Sequence, residues 1–245
     1  MDYQDLLAKQ GVGSAHPGGF AATIDFLKDV SFLPGSKILE VGCGTGRTAC
    51  YLAGQGYDVT ALDIRPAMLR KARFRAQRQR VFVRWVEGDA CDLPFPANQF
   101  DILLLESVTV FVDAKRALPE YRRVLRPGGR LYDREMMANK LLPRPVKRAI
   151  SELYGVKQVP TQKEWLKLLV NADFETTGVW KPVAVPGDFV KAGSFDYPDP
   201  FQQVDEDVYR DPDVKKMFER NLRLMSRCAK YLSYGVLLGR KNGRS

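Results

Sequence analysis

From Lys37 onward the chain alternates short apolar runs with stretches in which apolar residues recur at helical spacing. Lys37–Val41 (KILEV) reads as a first strand, and residues 45–55 as a helix that Gly56 ends. Residues 57–62 give a second strand. Pro66 then opens a helix to residue 79, at the position where a helix best tolerates proline. A third strand is expected over 82–86. The run FDILLLE at 100–106 is almost continuously apolar, the pattern of a strand buried on both faces. A helix over 114–125 follows, and Pro127-Gly128-Gly129 turns the chain into a strand over 130–134. Strands of this length separated by single helices predict βαβ units in a parallel sheet.

Beyond residue 135 the pattern loosens. Residues 136–160 hold three prolines and a short helical stretch over 146–153. Thr161, with Glu164 three residues on, caps a helix through residue 171. A strand over 175–181 leads into a long loop over 183–211. Val214, Met217, Phe218, Leu222 and Met225 then mark a helix over 212–230, and residues 231–239 a last strand. Two late strands separated by about fifty residues suit an antiparallel edge pair better than another βαβ unit. Long insertions in compact domains are usually functional, so 136–160 and 183–230 are expected to shape a substrate pocket. The aromatic residues Phe189, Phe195, Tyr197, Phe201 and Tyr209 either wall that pocket or form the loop's own small core; the pattern leaves both open.

Composition narrows the class. The 245 residues are 45% hydrophobic and 27% charged, ordinary values for a globular domain that folds without staples. Cys43, Cys50, Cys91 and Cys228 show neither paired spacing nor clustering with the single histidine, His16, so no disulfide and no metal site is expected. The polar N-terminus lacks a secretion signal, and no run reaches the roughly eighteen apolar residues of a membrane span. A cytoplasmic protein without a membrane partner is the expectation, as monomer or homodimer. The net charge of +9 is concentrated: eight basic and no acidic residues lie between Arg65 and Arg84. A solvated helix face is the simpler reading of that run, and nucleic acid is not expected as a partner.

The chemistry concentrates at Ile38-Leu39-Glu40-Val41-Gly42-Cys43-Gly44-Thr45-Gly46, a glycine-rich turn after a buried strand and before a helix. Glycine lets the backbone take positive φ and lets a ligand approach without meeting a Cβ. The helix start offers free N–H groups. Asp63, at the end of the second strand, is placed to accept hydrogen bonds from ribose hydroxyls. The spacing is G-x-G-x-G, not the G-x-G-x-x-G of dinucleotide-binding domains, and Glu40 precedes the first glycine by two residues. Gly88-Asp89-Ala90-Cys91-Asp92-Leu93-Pro94-Phe95, the run 100–107 ending in Glu106-Ser107, and Arg123-Val124-Leu125-Arg126-Pro127-Gly128-Gly129 follow in order. In these features the chain resembles the class I S-adenosylmethionine-dependent methyltransferases, particularly those acting on small molecules, from about Ile38 to Arg134 and more weakly through the last strands.

The resemblance implies a Rossmann-like, doubly wound, mostly parallel seven-stranded α/β sheet with an antiparallel last strand. It implies one domain: a lid over 1–36, a cofactor-binding core over 37–135, and the two insertions. Gly42, Cys43, Gly44 and Gly46 would line the methionine side of S-adenosylmethionine, with Glu40 orienting the turn. Asp63 would hold the ribose, Ile64 and Met68 would pack on the adenine, Asp89 and Ala90 would read its edge, and Glu106 would face the methionine moiety or the acceptor. Met68 and Glu106 also have plain structural readings. His16, in a Gly/Pro-rich turn of the lid, is the candidate proton acceptor or else a loop histidine. Tyr132 and Arg134 are candidates for the acceptor site. The chain departs from quinone-biosynthesis relatives in its N-terminal segment and late insertion, which argues against a quinone-ring acceptor. An RNA or protein methyltransferase and a non-catalytic cofactor-binding regulator are the alternatives.

Overall fold

The computed structural model describes residues 2–185, 197–206 and 208–243. Helices α1 (Tyr3–Gln10) and α2 (Gly19–Asp29) precede the alternating core of β1 (Lys37–Val41), α3 (Arg47–Gly54), β2 (Asp58–Asp63), α4 (Pro66–Gln79), β3 (Arg84–Glu87), β4 (Phe100–Glu106), α5 (Ala114–Val124) and β5 (Leu125–Ala138). Then come α6 (Arg144–Tyr154), α7 (Gln162–Asn171), β6 (Phe174–Ala184), α8 (Pro212–Cys228) and β7 (Leu232–Lys241). The seven strands form one sheet in the order β3-β2-β1-β4-β5-β7-β6. The pairings among β1 to β5 are parallel, and β7 runs antiparallel between β5 and β6. The expected α/β sheet with its antiparallel late strand is therefore present.

Successive side chains of a strand point to opposite faces, and the two central strands use this to build two cores. Leu39, Val41, Leu103 and Leu105 pack with Tyr121 of α5 and Trp165 of α7. Ile38, Ile102 and Leu104 pack on the other face with Ala49 and Leu52 of α3 and Phe26 of α2. Strand order reverses between β1 and β4, and at such a switch point the loops at the carboxyl ends part to leave a crevice.

Several boundaries differ from the sequence pattern for identifiable reasons. The third strand begins at Arg84 because Phe82 is 81% exposed and pairs with nothing in the sheet. The proline-glycine turn at 127–129 is absorbed into β5, and the β4–β5 register shifts between Phe100 and Ile102 to accommodate it. The cap on α7 is as expected: Thr161 and Glu164 exchange side-chain-to-backbone hydrogen bonds in a capping box. The N-terminal helix, which the periodicity did not reveal, is closed by its own Asp2–Asp5 capping box and by Gly11 in the left-handed region. No helix among the described residues is long and apolar enough to cross a membrane.

Candidate functional site

The turn after β1 uses three glycines for three different reasons. Gly42, Gly44 and Gly46 all have positive φ, at 69°, 53° and 74°. A Cβ on Gly42 would run into Val108, and one on Gly46 into Trp85 and Ala72. A Cβ on Gly44 would meet nothing within 4 Å. Its open face borders a cavity, while its N–H donates to Asp63 Oδ2 at 2.8 Å. The other carboxylate oxygen of Asp63 accepts from the Arg65 N–H at 2.9 Å. The ends of β1 and β2 are thus tied to each other at the switch point.

The cavity measures about 320 Å³, at the lower end of small-molecule sites. Glu40, Gly42, Cys43, Gly44, Asp63, Ile64, Met68, Asp89, Ala90, Glu106 and His16 all line it. Three expected site residues lie outside its wall. Gly46 caps α3, Tyr132 packs in the second core against Phe26 and Phe32, and Arg134 sits one layer back, behind Glu106. The opposite wall comes from Tyr3, Leu7 and Val12 in the N-terminal segment and from Phe111 and Val112 after β4. No motif marks those residues; the only hint is that the apolar run through Val112 outlasts the strand it follows.

None of the described residues of 136–160 or 183–230 lines the cavity; several hold the N-terminal segment over it instead. Tyr154 of α6 packs edge-on against Tyr3 at 4.8 Å, and the backbone of Gln203 abuts Gly11. Of the aromatic group in the late insertion, Tyr197 packs on Phe20, Tyr209 is exposed, and Phe189 and Phe195 lie outside the described residues.

The basic run on α4 also serves the lid. Arg65 pairs with Asp2 and Asp5, and Lys71 donates to the Lys9 and Gln203 carbonyls and to Asp205. Arg75, almost wholly buried, grips Asp199 through both terminal nitrogens at 2.6 and 2.7 Å. Arg70, Arg73, Arg78 and Arg80 are exposed, so a solvated face describes only half of this run.

Acidic groups dominate the cavity's electrostatics. Burial pushes the Glu40 carboxyl well above its usual range, and the neighbouring Glu106 and Asp63 charges push it further. Its Oε2 has no hydrogen-bond partner among the described residues. Asp63 is also raised by burial, against the hydrogen bonds from the Arg65 and Gly44 backbone. Burial works to raise Glu106 too, but His16, Arg134 and the hydroxyls of Thr23 and Thr48 outweigh it and hold the group ionised. Those hydroxyls donate to Glu106 at 2.6 and 2.8 Å. His16 Nε2 lies 3.4 Å from Glu106 Oε1 and 3.2 Å from Thr23 Oγ1. Burial lowers the His16 pKa despite that carboxylate, keeping the imidazole neutral. A buried carboxyl with an unpartnered oxygen beside two more acids suits a ligand that carries positive charge and hydroxyl donors.

A second acid pair stands behind the wall. Glu135 Oε1 accepts the backbone N–H groups of Val108 and Thr109 at 2.8 and 2.6 Å, and Asp133 Oδ2 accepts the Thr109 hydroxyl at 2.7 Å. This fixes the turn whose Val108 covers Gly42. Burial raises both carboxyls, and each further raises Glu135 through its neighbour, so the pair retains a proton at neutral pH. The native state therefore holds a proton that the unfolded chain has already released. Stability is greatest at the lower pH and falls as pH rises through the raised values, by up to about 1.4 kcal/mol per pH unit for each proton held. Glu135→Gln keeps an acceptor for the two N–H groups and supplies a permanent donor to Asp133. Thermal melts across neutral to alkaline pH are expected to show a flatter profile for this variant; an unchanged slope would remove the shared-proton account.

Comparisons with known proteins follow the geometry. Residues 39–133 match a family model described as a methyltransferase domain. The chain is 30% identical over 239 residues to an uncharacterized methyltransferase of Bacillus subtilis (strain 168), covering 98% of this chain and 99% of that protein. It is 38% identical over 123 residues to the demethylmenaquinone methyltransferase of Thermus thermophilus, a match spanning 49% of this chain and 53% of the relative. Among solved structures it superposes on Haemonchus contortus phosphoethanolamine N-methyltransferase 2 in complex with S-adenosyl-L-methionine, with TM-score 0.71 and 18% identity over 97% of this chain and 56% of that one. On Streptomyces coelicolor geranyl diphosphate C-methyltransferase the TM-score is 0.68 at 15% identity, over 90% of this chain and 76% of the other. At such identities the likeness is one of fold.

Proposed function

We propose, from the premise that this chain belongs to the class I S-adenosylmethionine-dependent methyltransferases, that it methylates a small-molecule acceptor inside the cavity beneath α1. The observation that carries this reading is the open face of Gly44 beside the unpartnered Glu40 oxygen and the ionised Glu106. Bare backbone admits close approach, and the acids match a ligand bearing sulfonium and ammonium charge. The N-terminal segment roofs the cavity, which favours an acceptor small enough to fit under it over a polymer chain. The demethylmenaquinone and geranyl diphosphate methyltransferases among the similar proteins are named for small acceptors.

In this reading Asp63 holds the ribose, Asp89 and the Ala90 backbone meet the adenine edge, and Met68 packs on its face. Glu40 and Glu106 receive the amino end. Bound S-adenosylmethionine supplies a methyl group already activated by its sulfonium; the chain's own residues orient, exclude water and manage protons. The roof over the cavity excludes water, and Arg134 and the two threonines keep Glu106 ionised. Where the acceptor must lose a proton, His16 takes it: in the tautomer with its proton on Nε2, toward Glu106, the Nδ1 atom is left as the base. Glu106 then stabilises the imidazolium.

Asp63→Ala is expected to weaken S-adenosylmethionine binding by about 1–3 kcal/mol, the worth of hydrogen bonds to a charged group. Calorimetry measures this directly, and an unchanged dissociation constant would remove the ribose assignment. For the acceptor, cell extract is incubated with the protein and methyl-labelled cofactor, then filtered by size. Label is expected in the small-molecule fraction; label confined to RNA or protein would contradict the proposal.

A further inference from the structure

We propose that the face built by α6 and α8 docks on an anionic lipid bilayer. A groove of about 940 Å³ runs between these helices, with an apolar floor that includes Val146, Leu153, Leu224 and Tyr231. Lys216, Arg220, Arg223 and Arg227 follow one another at intervals of four, three and four along α8, which aligns them in a single row over three helical turns. All four line the groove and all are exposed. Lys216, Arg220 and Arg227 form no salt bridge among the described residues. Glu152, the acidic residue of the lining, is already paired with Arg148. The row therefore offers uncompensated positive charge beside apolar surface.

The choice of occupant rests on the far flank of the same row. Phe218 and Leu222, one turn apart on α8, are 43% and 42% exposed, and helical spacing places them across the row from the groove. An acidic helix seated in the groove would leave both in water. A bilayer surface covers both flanks at once, with lipid phosphates on the cations and the apolar side chains at the acyl boundary. The expectation of no membrane partner rested on the lack of a spanning segment, which does not bear on docking at a surface. The docked face also backs the cavity's roof. Tyr154 of α6 donates to Asn221 of α8 at 2.5 Å and packs on Tyr3, which lines the cavity.

The full chain is to be floated with vesicles of phosphatidylcholine alone and of phosphatidylcholine mixed with phosphatidylglycerol. Binding is expected to the mixed vesicles only, with release at about 1 M salt, where the screening length falls to about 3 Å. Lys216→Glu, Arg220→Glu and Arg227→Glu together are expected to lower the vesicle partition at least about tenfold. Phe218→Ser with Leu222→Ser is expected to lower it severalfold. Arg73→Glu with Arg78→Glu, on the exposed side of α4, is expected to leave it unchanged. Wild-type cofactor affinity serves as the folding check, and should the triple variant fail that check, the Phe218/Leu222 pair decides alone. No binding to the mixed vesicles overturns the proposal and leaves the face to an acidic protein. Equal loss from the α4 pair, or none from the Phe218/Leu222 pair, overturns it as well.

Discussion

Gly44→Val is expected to abolish measurable S-adenosylmethionine binding, at least about a 100-fold loss, while the chain remains folded. The reason lies in what the new side chain would and would not touch. No protein atom stands within 4 Å of a Cβ at this position, so nothing in the core is displaced. The added atoms instead enter the cavity beside Asp63 and Glu106. A φ of 53° costs a β-branched residue about 1–2 kcal/mol, which lowers the melting temperature without unfolding a typical domain. Gly42→Ala supplies the contrast, because its Cβ strikes Val108 and the damage falls on the packing of the turn. Calorimetry and thermal melts on the two variants separate these effects. A normal dissociation constant for Gly44→Val would mean that the turn is not the binding surface.

Glu106→Ala is expected to cost about 3–5 kcal/mol of stability, because it leaves a buried guanidinium without its counter-charge. Arg134 is 2% exposed, its Nε lies 3.4 Å from Glu106, and Nε has no hydrogen-bond partner among the described residues. Its remaining printed bond, from Nη2 to the Ala22 carbonyl, does not neutralise it. Removing the charge as well, with Arg134→Met in the Glu106→Ala background, is expected to restore much of the lost stability. Denaturant unfolding of the four species in this cycle reads the coupling between the two residues. Additive losses would show that the ion pair carries no such coupling. Cofactor affinity is expected to stay low in the double variant, since stability returns without the carboxylate that faces the cavity.

The sequence made the centre of the sheet readable because burial on both faces leaves a strand little choice of residue. Ile38 to Val41 and Ile102 to Leu105 declare themselves as apolar runs. The glycine turn was readable for the opposite reason: positive φ and close approach admit almost nothing else. The roof of the cavity was not readable. The position of α1 is set by Arg65 reaching Asp2 and Asp5, and by Lys71 joining Lys9 to Asp205 across more than a hundred residues. No local periodicity records such partners. The same separation made the basic run on α4 look like solvated surface, although Arg75 is among the most buried side chains in the molecule. In β5 the failure is one of pattern. Tyr132-Asp133-Arg134-Glu135 is all polar or aromatic, so alternation cannot tell inward from outward, and every one of them is buried. Tyr132 and Arg134 therefore drew attention as site residues, while Asp133 and Glu135, which hold the wall from behind, carried no signal.

The central claim is that bare main chain at Gly42 to Gly44, flanked by Asp63 and Glu106, receives the cofactor. A crystal structure of the protein with S-adenosylhomocysteine tests it most directly. The account expects the ribose at Asp63, the adenine beside Asp89, and the amino acid end over Gly44 toward Glu40 and Glu106. Density for the compound at any other place, with the Gly44 face left to solvent or covered by protein side chains, would contradict it.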